Sequence, residues 1–317
     1  MEGRFKKLEE SIDRYLKEIK RLDSEDTQEA NNTRKWFKER LAKVEQETKR
    51  LKLIEAQLLE SPDQQIALTD PDARIMATTG RSTVKIGYNV QSAVDTENHL
   101  IVDHEVTNVG NDRAQLSNMA RKAKDILGFD KMDALADKGY RNGSEILACA
   151  NEGITSYLPR IDTSGKQSKG FFIRRDFKYS EEDDEYVYPA GEHLIFRFQT
   201  IEKGKTYDKY WSSACPSCKI KDQCTTGQNR RVTRWEHEHM LDELDKRMAN
   251  EPERMTTRSS TVEHPFGTIK SWMGHTHFQM KTISRVATEM SLHVLAYNLR
   301  RVLTILGPEQ LAMAIRS

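Results

Sequence analysis

The chain has 317 residues, of which 37% are hydrophobic and 31% are charged. Its 50 Lys and Arg residues nearly balance 49 Asp and Glu residues, so net charge gives no support for nucleic-acid binding and any basic surface must be local. No apolar run approaches about 18 residues and the first residues lack a signal-peptide pattern, which argues against membrane and secreted proteins. Three of the four cysteines lie within ten residues, which favours a metal site over a disulfide scaffold and predicts a reducing, cytoplasmic location.

Residues 1–60 have the pattern of two charged helices. Apolar residues recur every three or four positions from Phe5 to Leu22 and again from Phe37 to Leu58. A polar stretch separates the two series, so the sequence predicts a coiled-coil-like helical hairpin. We expect this arm to serve as a spacer or dimerisation element without chemistry of its own.

Residues 61–159 alternate short strand patterns with helices. Ile66–Asp70 is predicted as a buried strand that stops at Asp70, because Pro71 cannot continue a central ladder. The elements predicted after it are a loop at 78–82, a hairpin of strands 84–94 and 100–107, a helix capped by Asp112 and running to about Leu127, a strand at 132–136, a helix from Asn142 to Ala150 and a strand at 154–158. This order predicts a mixed α/β sheet that begins antiparallel and continues parallel.

Residues 160–230 are predicted as an inserted subdomain that interrupts the core. The segment opens with a Gly-, Ser- and Lys-rich stretch, and its acidic run 181–185 indicates a solvated hairpin or loop. Strand patterns follow at 194–199 and 207–211. The core resumes over 231–317, where we predict a helix from Trp235 to Met248 and an apolar core helix over 282–306.

The insertion ends in a cysteine cluster with the spacing Cys215-x2-Cys218-x5-Cys224. These three thiols are most of a structural zinc site, which needs four ligands. His193, His237 or His239 could supply the fourth ligand, and the sequence does not select one. The alternative is that the three residues are ordinary buried thiols.

The stretch Thr261–Lys270 carries a carboxylate, Glu263, seven residues before a cation, Lys270. On a helix this spacing puts both side chains on one face, about two turns apart. We expect that helix to begin near Ser260, because Pro265 is tolerated in the first turn of a helix.

Two further acids, Asp70 and Asp137, each close a strand pattern. Strand ends of such a sheet open into a crevice where ligands bind, so we expect these acids and Glu263 to converge. Carboxylate oxygens are the ligands that Mg²⁺ prefers, and two such ions can promote phosphodiester displacement. The cations expected near the phosphodiester are Lys270, Arg258 and Lys138.

Four motifs in this order resemble the DDE transposases of bacterial insertion sequences. They are Thr69–Arg74, Gly87–Asp95, Ala136–Tyr140 and Thr261–Lys270. The resemblance extends from about residue 60 to the C-terminus and includes Glu289–Leu292 and Ala296–Leu299 in the last helix.

The resemblance implies an RNase H-like core with an insertion before the helix that carries the glutamate. By position, Asp70, Asp137 and Glu263 would be the catalytic ligands of Mg²⁺ or Mn²⁺, with Asp72 and Asp95 as rivals for the first place. Lys270 would contact DNA phosphate near the cleaved end.

The chain departs from the family pattern at three positions. Many relatives carry Tyr-x2-Arg-x3-Glu-x6-Lys, and here Thr256 and Ser259 occupy the Tyr and Arg places, with Arg258 one residue early. Relatives often have a cysteine before a Pro-Ala-Gly, and here that residue is Tyr188.

The resemblance implies cut-and-paste DNA transposition by a mobile element, with element ends and target DNA as partners. We expect a homodimer or higher oligomer on DNA, near the nucleoid in the bacterial cytoplasm, and a catalytic part that lacks the family's N-terminal DNA-binding domain. Two alternatives remain: an RNase H-like nuclease without strand transfer, and an inactive transposase fragment that acts only in DNA binding or oligomerisation.

Overall fold

A computed structural model describes residues 2–25, 27–76, 85–161, 165 and 167–316. They divide into two compact units, Met1–Tyr88 with Met280–Arg285 and Asn89–Gln279 with Val286–Ser317. The predicted mixture of helices and strands is present. The loop predicted at 78–82 lies outside the described residues. Within the described part of the chain, no helix is both long and apolar enough to cross a membrane.

The first unit begins with the two helices predicted for the arm, α1 (Glu2–Leu22) and α2 (Gln28–Glu60). Thr27 caps α2 through its side-chain oxygen, as expected where an extended residue precedes a helix. The apolar series of the two helices meet, with the rings of Tyr15 and Phe37 5.8 Å apart. The prediction of two helices is therefore confirmed.

The strand predicted for residues 66–70 was wrong. This stretch is described in full and is irregular, with Asp70 in a turn. Oδ1 of Asp70 accepts the N–H of Asp72 at 3.3 Å, so the side chain closes a local turn in place of a sheet ladder. Pro71 has no N–H and supports the same turn.

The strand predicted for 84–94 is interrupted at Tyr88. Its first part, β2 (Lys85–Gly87), pairs antiparallel with β1 (Arg74–Met76) in the first unit. Its second part, β3 (Asn89–Val94), opens the second unit and pairs antiparallel with β4 (Ile101–Thr107). The hairpin of β3 and β4 confirms the prediction for that segment.

The next elements of the second unit follow the predicted order. They are α3 (Leu116–Leu127), β5 (Met132–Leu135), α4 (Gly143–Asn151) and β6 (Ile154–Tyr157). Asn142 caps α4, as predicted, and β5 and β6 are parallel. The predicted cap of α3 was wrong, because Asp112 instead accepts hydrogen bonds from Asn89 and Gln91 of β3 at 2.7 and 2.8 Å.

The predicted single mixed sheet is not formed by the described residues. The β3–β4 and β5–β6 pairs are separate two-stranded ladders, and a cavity of about 250 Å³ lies between β3 and β5. Helices α3 and α4 pack on β6 through an apolar core of Leu116, Ala120, Ile146, Cys149, Ile154, Leu158 and Leu244.

A five-stranded antiparallel sheet, in the order β11-β10-β9-β8-β7, takes four strands from the insertion and β11 from the residues directly after it. Its strands are β7 (Lys178–Ser180), β8 (Glu185–Val187), β9 (His193–Glu202), β10 (Lys205–Trp211) and β11 (Val232–Trp235). The acidic run is the turn between β7 and β8, as predicted. The helix predicted from Trp235 begins later, as α5 (Glu238–Asn250), because Trp235 pairs with Tyr207 in the sheet.

Helix α6 (Glu253–Gly267) belongs to the second unit, and the long α7 (Ile283–Arg316) belongs to it from Val286 onward. Gly307 has a non-helical backbone and breaks α7 into two helical parts. The predicted start of α6 near Ser260 was wrong. Pro265 lies in its last turn, where the missing N–H interrupts the ladder just before a π-helical turn at Thr268–Trp272. The core helix predicted over 282–306 is present within α7.

Helix α7 is fastened to the turn between β3 and β4 by side-chain hydrogen bonds. The Asn298 amide accepts the N–H of Ile101 and donates to its carbonyl, both at 2.9 Å, as a neighbouring strand would. Tyr297 donates to the carbonyl of His99 at 2.7 Å, and Arg301 donates to that of Asn98 at 2.8 and 3.0 Å. We call these three side chains the α7 clamp.

Replacing Asn298 with Ala should lower the free energy of unfolding by about 2–4 kcal/mol, since it leaves the buried backbone groups of Ile101 without partners. Urea unfolding followed by circular dichroism measures the change. Gln310→Ala, at an exposed site beyond the break at Gly307, is the control and should stay within about 0.5 kcal/mol of the unmodified chain. Equal midpoints for both variants would contradict the role of the clamp.

Candidate active site

Asp70 is a buried turn residue of the first unit whose two carboxylate oxygens both accept hydrogen bonds. Oδ2 accepts from the Tyr88 hydroxyl at 2.8 Å, and Oδ1 accepts from the N–H of Thr282 at 3.1 Å. Its rival Asp72 accepts from the N–H of Ile283 at 2.9 Å. Both acids therefore tie this turn to residues 280–285 of the same unit.

Asp137 is an exposed residue directly after β5 in the second unit. Its Oδ1 accepts the N–H of Lys138 at 2.7 Å and caps the short helix that follows. Asp137 lines the cavity between β3 and β5 together with Asp95 and Asp133. Asp95, the other rival for the first ligand, also accepts from the N–H of Asn98 at 2.7 Å, as the polar turn of the hairpin.

Glu263 is an exposed residue of α6 that lines a different cavity, of about 440 Å³. Its Oε1 accepts from the Ser259 hydroxyl at 2.7 Å. This second cavity, which we call the Glu263 groove, is lined by Glu263, His264, Gly267, Thr268, Trp272, Tyr297, Arg300, Arg301 and Thr304. A carboxylate thus stands beside two arginines and an indole.

The helical repeat separates Glu263 from the Asp137 cavity. Arg258 and Val262 line the cavity with Asp137, whereas Glu263 and Gly267 line the groove. At about 100° per residue, Glu263 is about 140° around α6 from Arg258. The structure therefore brings Asp137 and Arg258 to one cavity and Glu263 to another. Across the described residues, no three His, Cys, Asp or Glu side chains are close enough to hold a metal ion.

The three cations predicted to contact phosphate have different surroundings. Lys138 is exposed beside Asp137, and Lys270 is exposed in the π-helical turn, where its ammonium lies 5.7 Å from the ring of Phe266. Arg258 is half-buried, and its Nε has no hydrogen-bond partner among the described residues. Lys138 and Lys270 are thus the more accessible pair.

Residues 187–303 match a family model described as "Transposase DDE domain". This part of the chain is a transposase DDE domain. The matched segment contains Glu263, the cysteine cluster and the α7 clamp, and it begins after Asp70 and Asp137. No curated protein and no solved structure matches the chain.

Sequence reasoning missed the residues that face Glu263 within the DDE domain. Trp272 is 78% exposed, and its ring centre lies 5.7 Å from the Arg300 guanidinium carbon. His264 Nδ1 donates to the Tyr297 oxygen at 2.8 Å, because the Tyr297 hydroxyl hydrogen is already given to His99. His264 and Tyr297 are 33 residues apart in the chain, and Trp272 and Arg300 are 28 apart. No local pattern in the sequence indicates contacts over such separations.

A buried polar network below the Asp137 cavity was also missed. Gln91 is only 1% exposed, donates to Asp112 and accepts from the Tyr140 hydroxyl. Burial, followed by the charge of Asp112, raises the pKa of Tyr140 to about 12, so this hydroxyl remains a donor at neutral pH. Tyr140 belongs to the Ala136–Tyr140 motif, and the network holds that motif against β3.

In the insertion, the three cysteines lie beside Tyr188. The Tyr188 hydroxyl is 3.6 Å from Sγ of Cys218, and the N–H of Arg230 donates to Sγ of Cys215 at 3.3 Å. Cys224 is 4% exposed and belongs to the apolar core of the insertion.

Thr261→Val should leave the free energy of unfolding unchanged or raise it by up to about 1 kcal/mol. Thr261 is 2% exposed, lines the Asp137 cavity, and its hydroxyl has no partner among the described residues, so the methyl group removes an unpaired polar atom. Thermal and urea unfolding measure the effect.

The matched control is Thr257→Val on the same helix, where the exposed hydroxyl donates to the carbonyl of Glu253 at 3.3 Å. A loss above about 1 kcal/mol for Thr261→Val alone would mean that the buried hydroxyl has a partner in solution.

Proposed function

We propose that the chain is the catalytic part of a transposase that cuts DNA at the ends of an insertion sequence and joins the freed strand to a target. The observation that carries this proposal is the DDE-domain match, which spans the helix bearing Glu263 and the groove around it. Three of the four ordered motifs, Thr69–Arg74, Gly87–Asp95 and Ala136–Tyr140, add support from outside the matched segment.

The proposed metal ligands are Asp70, Asp137 and Glu263. Their carboxylate oxygens suit Mg²⁺ or Mn²⁺ chemically, but the described side chains do not gather three such donors at one point. When bound, the metal would supply activation of an attacking oxygen and neutralisation of charge on the phosphodiester. The proposal therefore requires that these ligands come together only when DNA and metal bind.

The Glu263 groove is the proposed contact surface for the phosphate backbone. Arg300 is exposed on its wall, and Arg301 lines it while holding the carbonyl of Asn98. Burial and the charge of Arg301 lower the pKa of His264, so its ring is neutral at pH 7. The arginines, and not His264, therefore supply the positive charge of the groove. Lys270 and Lys138 would extend the contact along the strand.

We propose that the chain works as a homodimer or higher oligomer on DNA, because transposition joins two element ends to one target. The hairpin of α1 and α2 is the proposed spacer or dimerisation arm. Its half-buried apolar series is not fully covered within the hairpin, which suits further helix packing.

A second candidate function is an inactive transposase part that binds DNA or forms oligomers without cutting. The observation that favours it is the placement of Asp137 and Glu263 at different cavities. An RNase H-like nuclease with the same ligands would cut without joining, and an assay for joined product separates it from a transposase.

Glu263→Gln should reduce Mg²⁺-dependent cleavage of element-end DNA by at least about 100-fold while leaving the unfolding midpoint unchanged. The substitution removes a charge but keeps the size of an exposed side chain. Gel assays of cleaved and joined products measure it. Glu253→Gln, an exposed acid in the first turn of the same helix, is the control and should retain full activity.

Cleavage by the unmodified chain together with full activity of Glu263→Gln would contradict the assignment of the ligand. No cleavage by the unmodified chain on any DNA end, with Mg²⁺ or Mn²⁺, would favour the inactive module.

Arg300→Ala should weaken binding to duplex DNA and reduce the slope of log affinity against log salt by about 1, since one phosphate contact is lost. Fluorescence anisotropy at several salt concentrations gives both quantities. Arg316→Ala, at an exposed site beyond the break at Gly307 and away from the groove, is the charge-matched control and should keep the slope. Equal slopes for the two variants would remove the Glu263 groove from the DNA contact.

A further inference from the structure

Trp272 is the large hydrophobic side chain most exposed to solvent in the described part of the chain, at 78%. Trp36, Trp211 and Trp235 each lie beside another aromatic ring, with ring centres 5.0 to 5.6 Å apart. The neighbour of Trp272 is instead Arg300, whose guanidinium carbon is 5.7 Å from the ring centre. The indole therefore keeps accessible π surface on which a flat ligand can stack.

The backbone holds this indole in place. Trp272 ends the π-helical turn Thr268–Trp272, which closes where the N–H of Met273 donates to the carbonyl of Thr268 at 3.0 Å. Ile269 of the same turn is buried and anchors it in the interior. The exposed ring thus belongs to a hydrogen-bonded, anchored turn, and π-helical turns occur frequently at functional sites.

The groove beside Trp272 is cationic. Arg300 and Arg301 line it, and Glu263 is the one acid among the described residues that do so. Lys270 is exposed two residues before Trp272. No Leu, Ile, Val or Met side chain is among these lining residues, so the groove lacks the contiguous apolar surface that an apolar protein segment needs.

A nucleotide matches both properties of this groove, because it joins a flat base to an anionic phosphate. Stacking of bases on aromatic rings, combined with cationic contacts to phosphate, is how proteins bind single strands. Inside a duplex the faces of each base are covered by neighbouring bases. An indole can therefore stack only on a base that is unpaired or turned out of the helix.

We propose that Trp272 stacks on an unpaired base at the end of the DNA, while Arg300 and Arg301 contact the adjoining phosphates. This proposal rests on the proposed function for the identity of the ligand. Trp272 would then be a positioning residue, because the stacked base holds the strand in the groove that Glu263 lines.

The test compares two DNA probes on the full chain, a blunt duplex and the same duplex with a short single-stranded tail that carries a fluorescent adenine analogue. The unmodified chain should bind the tailed probe more tightly and quench the analogue. Trp272→Ala should weaken binding to the tailed probe by about 5- to 150-fold, the loss of one base–aromatic stack. Binding to the blunt probe and its salt slope should stay the same, since no charge is removed.

Two variants make the comparison specific to the indole. Trp272→Phe keeps a ring and should recover part of the preference and of the quenching. Trp36→Ala is the matched control, because Trp36 is also exposed and also has an arginine beside it, with the Arg40 guanidinium carbon 5.1 Å from its ring centre. It should leave the ratio of the two affinities unchanged.

An unchanged ratio and unchanged quenching in Trp272→Ala would overturn the proposal, and it would do so alone if Arg300→Ala still lowers the salt slope. Equal losses in Trp272→Ala and Trp272→Phe, together with lower unfolding midpoints, would show a structural role and overturn it as well. If the unmodified chain binds neither probe, the DNA function fails with it.

Discussion

The α7 clamp is the interaction on which the arrangement of the second unit depends. Asn298 completes the hydrogen bonds of Ile101 as a strand would, and its neighbours Tyr297 and Arg301 hold the adjacent turn. Because Tyr297 also accepts from His264, the clamp reaches α6 one residue from Glu263. The hairpin, the last helix and the helix of the candidate glutamate are thus joined by one short chain of hydrogen bonds.

The hydrogen bond between Tyr297 and His264 would have to change if Asp137 and Glu263 were to bind the same metal ion. Glu263 faces the groove with His264, so turning it toward the Asp137 cavity breaks the bond between His264 and Tyr297. That hydrogen bond accounts for about 1 kcal/mol of the cost, and displacing the buried Thr261 on the same helix adds to it. The π-helical turn that ends α6 is a place where the helix can adjust, since such turns mark irregular points in a ladder.

The sequence allowed the locally determined elements to be predicted, and tertiary contacts explain the rest. The arm helices, the β3–β4 hairpin and the cap at Asn142 follow from periodicity and turn residues, and they are present. At Asp70 the side chain accepts the N–H of Asp72 and closes a turn, which no apolar pattern reveals. Tyr297, Arg300 and Arg301 line the groove with Glu263 and come from α7, so their approach depends on the clamp and not on any local motif.

The insertion is joined to the core by ion pairs along one face of α5. Glu238 pairs with Arg174 of the insertion at 2.9 Å, and Asp242 pairs with Arg234 of β11 at 2.8 Å. On the other side, Asp245 pairs with Arg141 of the core at 2.6 Å. These acids are spaced four and three residues apart, so they share a face. Arg234 and Arg141 are largely buried, so removing either acid partner would leave a poorly solvated charge. The ion pairs along α5 therefore hold the insertion against the core.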